Sequence, residues 1–177
     1  MWAYITDSHL TDMARASFEL RLQSCRNLNL IGIMSLSISR SALVMYSSQQ
    51  MFDLINNVSD YPEFLPWCAG ATVLEQDDLQ MVASLDVKKG GVRQRFTTCN
   101  RFDGNERISM ALLDGPFQRL SGGWQFISLS ADACKVVLDL EFEFQKGIAK
   151  LTFGPVFNQA ANSMVDAFCE RAKAIYG

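Results

Sequence analysis

From Ile38 onward apolar and polar residues alternate with the period of a strand, broken by turn-forming residues, until about residue 148, where the period lengthens to that of a helix. Ile38 to Val44 predicts a first strand. Ser47-Ser48-Gln49-Gln50 then reads as a capping box, opening a helix that turns Met51, Leu54, Ile55 and Val58 inward. A second short helix follows, capped by Ser59 or Asp60, with Pro62 in its first turn and Pro66 ending it. Six more strands are expected, over Trp67 to Gln76, Leu79 to Lys88, Val92 to Phe102, Arg107 to Leu113, Leu120 to Leu129 and Ala133 to Phe144. Gly90-Gly91 supplies a two-residue hairpin between Lys89 and Val92, and Asp103-Gly104-Asn105 the next turn.

The last stretch, Ile148 to Gly177, is one long amphipathic helix. Phe153, Phe157, Ala160, Ala161, Met164, Phe168, Ala172 and Ile175 recur at three- and four-residue steps, with Asn158, Gln159, Asn162, Asp166, Glu170 and Lys173 on the other side. Gly154-Pro155 predicts a kink or a fresh first turn, because Pro155 has no amide donor. One broad apolar helix face and one dry sheet face call for each other. The expected fold is therefore α+β: a seven-stranded curved antiparallel sheet wrapped around the C-terminal helix, with two short helices after the first strand.

Residues 1–33 break the pattern. Arg15, Arg21 and Arg26 precede an apolar run, Leu28 to Leu36, which is too short to span a bilayer. Asp7, Asp12 and Glu19 spoil a transit peptide, and a signal peptide needs a shorter charged region and a cleavage site. The division expected is a loosely ordered extension over 1–33, with Met34 an alternative start, and a single folded domain over 34–177.

Composition narrows the chemistry. A net charge of −3 and 20% charged residues describe an ordinary globular chain, so bulk charge points to no nucleic acid. Five cysteines, odd in number and with no C-x-x-C pair, argue against a disulfide framework or a zinc ribbon, and fit a reduced, cytoplasmic protein. The one histidine, His9, lies in the extension. The domain thus lacks an imidazole for nucleophilic triads, zinc sites or general-base chemistry. No catalytic residue, metal site, required cofactor, DNA partner or transmembrane segment is expected.

Four side-chain sets stand out. Phe64, Trp67, Phe96, Met110, Leu112, Phe117, Trp124, Phe126, Phe157, Met164 and Phe168 face the helix, and Thr98 and Asn100 share the inward parity of Phe96. They are either a plain core or the lining of a ligand cavity, since apolar pockets with a few polar groups suit quinone rings and isoprenoid tails. Asp114-Gly115-Pro116-Phe117 reads as a turn, with Phe117 able to gate a pocket mouth. Lys88, Lys89, Arg93 and Arg95 flank the glycine hairpin, with Arg101 and Arg107 nearby. They form either a solvated hairpin or a seat for RNA phosphates. Asp139, Glu141 and Glu143 alternate on one strand face, a solvated acidic stripe rather than a metal site.

Element order and local motifs together resemble the START-like helix-grip superfamily, in its coenzyme Q-binding, polyketide-cyclase-like branch. The resemblance is carried by Ile38-Ser39-Arg40-Ser41, Tyr61-Pro62-Glu63-Phe64-Leu65-Pro66-Trp67-Cys68, Asp114-Gly115-Pro116-Phe117, Gly123-Trp124-Gln125-Phe126 and Met164-Val165-Asp166-Ala167-Phe168. It covers Met34 to Gly177. It implies a cavity between sheet and helix able to take ubiquinone or another isoprenoid lipid. For the ribosome-associating toxins of the branch it also implies binding to the large ribosomal subunit, with a ribosomal RNA contact, that blocks subunit joining and so inhibits translation. Two alternatives come with it: a ubiquinone or lipid chaperone supporting respiration, and an enzyme of the aromatase or cyclase type.

Overall fold

Alternation becomes strand and capping becomes helix largely where expected. The computed structural model describes residues 36–145 and 148–177; the extension expected over 1–33, His9 included, lies outside the described residues. Strand β1 is Leu36–Val44, helix α1 Ser48–Asn56, a 3-10 turn Val58–Asp60 and helix α2 Tyr61–Phe64. Then come β2 Cys68–Gln76, β3 Gln80–Lys89, β4 Val92–Asp103, β5 Arg107–Asp114, β6 Phe117–Ser130, β7 Ala133–Phe144 and α3 Ile148–Tyr176. All neighbours pair antiparallel in the order β1-β7-β6-β5-β4-β3-β2. The α1–α2 segment therefore carries the chain from one edge of the sheet to the other.

Local chemistry sets the joints. The Gln50 amide donates to Ser47 Oγ at 3.2 Å and the Ser47 amide to Gln50 Oε1 at 2.9 Å, completing the capping box. At α2 the expected side-chain cap is not formed: Asp60 instead accepts from Asn57 Nδ2 at 2.8 Å, because the 3-10 turn already feeds into the helix. Several further boundaries shift, two of them at residues expected in the site. β6 begins at Phe117 rather than Leu120, and Trp67 lies just before β2 rather than in it.

The core lies between the concave sheet face and α3. Phe153, Phe157, Ala160, Ala161, Met164, Phe168 and Ala172 are buried as expected, whereas Ile175 remains 48% exposed near the end of α3. Phe117 is the hub of an aromatic cluster. Its ring lies 4.7 Å from Phe157, 5.0 Å from Phe144, 5.5 Å from Phe96 and 5.7 Å from Phe153, mostly edge to face.

The middle of β6 is where backbones crowd most closely. Gly122 and Gly123 have φ of 132° and 149°. A Cβ at Gly122 would lie 2.0 Å from the Asp139 carbonyl oxygen, and one at Gly123 1.9 Å from that of Ile108. Only glycine fits there, and the paired glycines let β6 bend between β5 and β7. Gly123→Ala is expected to cost at least about 3 kcal/mol, from strained φ plus backbone displacement. Urea denaturation followed by circular dichroism measures it, and a loss below about 1 kcal/mol would contradict this account.

Candidate functional site

Beside the aromatic cluster the core is not filled. A cavity of about 50 Å³ lies under the middle of α3. The structure brings together Trp67, Phe96, Thr98, Asn100, Met110, Trp124, Phe157 and Met164 around it. Five residues expected there do not reach it, among them Phe126, whose ring lies 5.8 Å from that of Phe52. Phe117 is turned into the aromatic cluster and backs the lining rather than gating a mouth. Phe168 packs edge to face on Trp124 and Tyr61, at 5.4 and 5.2 Å. Phe64 packs on Phe168 at 5.2 Å, and Leu112, opposite Thr98, sits on the core without reaching the space. The remaining lining is Val58, Tyr61, Ala83, Leu85, Leu120, Leu140, Ala160 and Ala161. Alanines at consecutive helix positions make the room, a signal visible in the sequence as small residues on an otherwise bulky face.

The lining is apolar apart from a few groups. Thr98 and Asn100 are 4% and 7% exposed. The Tyr61 hydroxyl donates to the Ile55 carbonyl at 2.6 Å, and burial holds the phenol far above its ordinary pKa, so it stays neutral. Burial likewise raises the thiols of Cys68, Cys134 and Cys169, which rest protonated and unreactive at neutral pH. Among the described residues, Trp67 Nε1 and Asn100 Oδ1 are buried polar atoms without a partner, as is Arg171 Nε.

The segment from Val58 to Phe64 covers the cavity and is tied to α3. Arg171 reaches Glu63 at 2.7 Å and Asp60 at 3.6 Å, with its guanidinium 5.2 Å from the centre of the Phe64 ring.

The hairpin at Gly90-Gly91 forms as expected, pairing Lys89 with Val92 and Lys88 with Arg93. Lys88, Lys89, Arg93 and Arg95 are all exposed. Arg95, however, is already engaged. Its Nε and a terminal nitrogen each donate to Asp86 at 2.7 Å, a fork-to-fork pair across the strands. This hydrogen bonding holds the Asp86 carboxyl below its ordinary pKa. A lowered native pKa means the pair's contribution is full above the usual carboxylate range and is lost as pH falls through the lowered value. The register explains the pairing: counting outward from a two-residue hairpin places Asp86 opposite Arg95. On the acidic stripe, Asp139 accepts from Ser39 Oγ at 2.6 Å and Glu141 pairs with Arg119 at 3.6 Å. No group of three or more metal-ligating side chains gathers among the described residues.

Residues 44–169 match the family described as polyketide cyclase / dehydrase and lipid transport. The chain belongs to this family. A Vibrio cholerae protein named Ribosome association toxin RatA is 53% identical over 140 residues, 79% of this chain and 97% of that one. A mitochondrial coenzyme Q-binding protein of Xenopus laevis is 28% identical over 152 residues, 84% of this chain and 62% of that one. The crystal structure of the Zhui aromatase/cyclase of a Streptomyces species superposes with a TM-score of 0.72 over 81% of this chain and 96% of that one, at 17% identity, a likeness of fold. The helix-grip architecture is therefore the family's own. No described helix is long and apolar enough to cross a membrane.

A cavity under Ala160 can accept added carbon where a filled core cannot. Ala160→Val is expected to change stability by less than about 1 kcal/mol, and Ala172→Val, at a site 0% exposed and away from the cavity, to cost about 1–3 kcal/mol. Urea midpoints of the two variants decide it; equal losses would mean that the core packs fully at both sites.

Proposed function

We propose that this chain is a ribosome-associating toxin that binds the large ribosomal subunit, blocks its joining with the small one and so inhibits translation in the cytoplasm. The observation that carries the reading is the 53% identity, over 97% of its length, to a relative named Ribosome association toxin RatA. The surface offers a fitting contact. Lys88, Lys89 and Arg93 stand at a hairpin tip without an ion-pair partner among the described residues, free to meet ribosomal RNA phosphates. Arg95 is the weaker member of the set, because Asp86 already holds it.

A second capability rests on the cavity and on the coenzyme Q-binding relative. We propose that the domain takes a hydrophobic ligand there, ubiquinone or another isoprenoid lipid, and needs no cofactor. At about 50 Å³ the space is well below the roughly 300 Å³ of a small-ligand pocket, so Met110 and Met164 must repack and the Val58–Phe64 cover must shift to admit a quinone ring. A ubiquinone chaperone without a ribosomal role is the competing reading. An aromatase-like activity has less support, since the lining contains no carboxylate or imidazole and Tyr61 is locked neutral.

Sedimentation with large ribosomal subunits over a salt series tests the first reading. Changing Lys88, Lys89 and Arg93 to Gln is expected to weaken binding and flatten the slope of log affinity against log salt by roughly 2, each phosphate contact contributing about 0.7–0.9. Asp86→Asn, which frees Arg95, is expected to steepen it. No binding by the parent protein would leave the ubiquinone chaperone as the better reading, and an unchanged slope in the triple variant would remove the hairpin as the contact.

A further inference from the structure

Exposed aliphatic side chains gather at one corner of the sheet. Leu43, Met45, Ile127 and Leu129 are 72%, 79%, 45% and 58% exposed. Register brings them together: Lys135 of β7 pairs with Leu43 of β1 on one side and with Ile127 of β6 on the other. All three point to the convex face, because their strand neighbours Val44, Cys134 and Phe126 enter the core. Val137 continues the row along β7, while Met45 and Leu129 follow two residues after Leu43 and Ile127, at the ends of the same strands. Round the β1 edge the corner goes on, with the Tyr176 ring 5.7 Å from that of Tyr46 and Ile175 exposed beside it. Single exposed aliphatics are ordinary, as at Leu36, Leu74 and Leu79 elsewhere on the sheet, whereas a contiguous set marks a surface that something covers.

Lys135 limits what that can be. Its ammonium stands in the middle of the apolar row with no ion-pair partner among the described residues. A second copy docked about a two-fold axis through this row would set the two lysines against each other, like charges taken out of water together. A phospholipid surface has no such conflict. The four aliphatic side chains enter among acyl chains, which demand no complementary shape, while the Lys135 stem lies along them and its ammonium rises to the phosphates. Arg107, exposed and likewise without an ion pair, adds a cation, since its partner Gln125 is two residues from Ile127. Asp132 in the β6–β7 turn and Glu106, whose carbonyl accepts from the Phe126 amide, temper the attraction. We infer that this corner is a docking surface for an anionic lipid bilayer, held by shallow insertion of Leu43, Met45, Ile127 and Leu129 around Lys135. The surface depends on neither the ribosomal reading nor the cavity. It does lie at the start of the segment that leads through α1 to the Val58–Phe64 cover.

Flotation of the full chain with two kinds of vesicle tests this, one of phosphatidylcholine alone and one of phosphatidylcholine mixed with phosphatidylglycerol. The parent protein is expected to bind the mixed vesicles about fivefold or more tighter, the worth of one cation beside an anionic surface. Changing Leu43, Met45, Ile127 and Leu129 together to Thr, a polar residue that strands accept, is expected to weaken binding to both vesicles at least about tenfold. The same change at Leu36, Leu74 and Leu79 is expected to leave binding as it was. Lys135→Gln is expected to abolish the preference for the mixed vesicles and to keep the binding to phosphatidylcholine, and Asp132→Asn to enlarge the preference. Should the fourfold variant fail to fold, the Leu43→Thr, Ile127→Thr pair and Lys135→Gln still decide. No flotation of the parent protein overturns the inference, as does equal binding to the two vesicles. An equal loss on changing Leu36, Leu74 and Leu79 also overturns it, because exposed carbon anywhere on the surface would then suffice. A dimer in sedimentation equilibrium that the fourfold variant dissociates overturns it in favour of a second copy.

Discussion

The apolar face of α3 must be covered along most of its length, and a flat sheet touches a cylinder only along a line. The strands therefore have to curl, and a seven-stranded sheet curls only where its backbones can close up. In this chain they do so at Gly122 and Gly123, where neighbouring carbonyls occupy the space of a side chain. The bulky rings around Phe117 fill one end of the resulting trough. The alanine pair at 160 and 161 leaves the middle open, so the same curvature that buries the helix creates the cavity.

Much of this architecture was legible before any coordinates. Val136, Leu138, Leu140, Phe142 and Phe144 alternate without interruption, and period two over that length leaves few alternatives to a half-buried strand. The capping box at Ser47 and Gln50 was legible for a similar reason, because it is a local interaction between residues three apart. The cavity was harder. Sequence pattern, period two in strands and 3.6 in the helix, identifies which residues face inward, and Trp67, Phe96, Thr98, Asn100, Met110, Trp124, Phe157 and Met164 line the space. It does not say which inward residues touch one another and which border a gap, because that depends on the distance between helix and sheet. Phe168 shares the helical face of the lining, and Phe117 is turned inward by a register shift before Arg119, yet both are spent on ring contacts. Ile175 continues the helical period yet stays exposed, since periodicity does not reveal where the covering sheet stops.

The basic hairpin teaches a related point about charge. Counting cations along the chain gives Arg95 the same weight as Arg93, though the two differ in freedom. A partially covered carboxylate opposite Arg95 takes two of its hydrogen bonds, and its guanidinium is committed to the protein before any phosphate approaches. Cross-strand register, rather than net charge, decides which cations on a sheet are available to a partner.

Through Arg171 the cover over the cavity answers to ionic strength in the same sense as the basic hairpin. The cover over the cavity is fastened to α3 by exposed or half-exposed carboxylates at Asp60 and Glu63, and such pairs loosen as salt rises. The phosphate contacts proposed for the hairpin would weaken with salt in the same way. A saline medium would thus favour exchange of the proposed interior guest while releasing the protein from the proposed polyanion, whereas dilute buffer would retain both. The two proposed sites would in this sense answer to one variable, with no structural coupling between them.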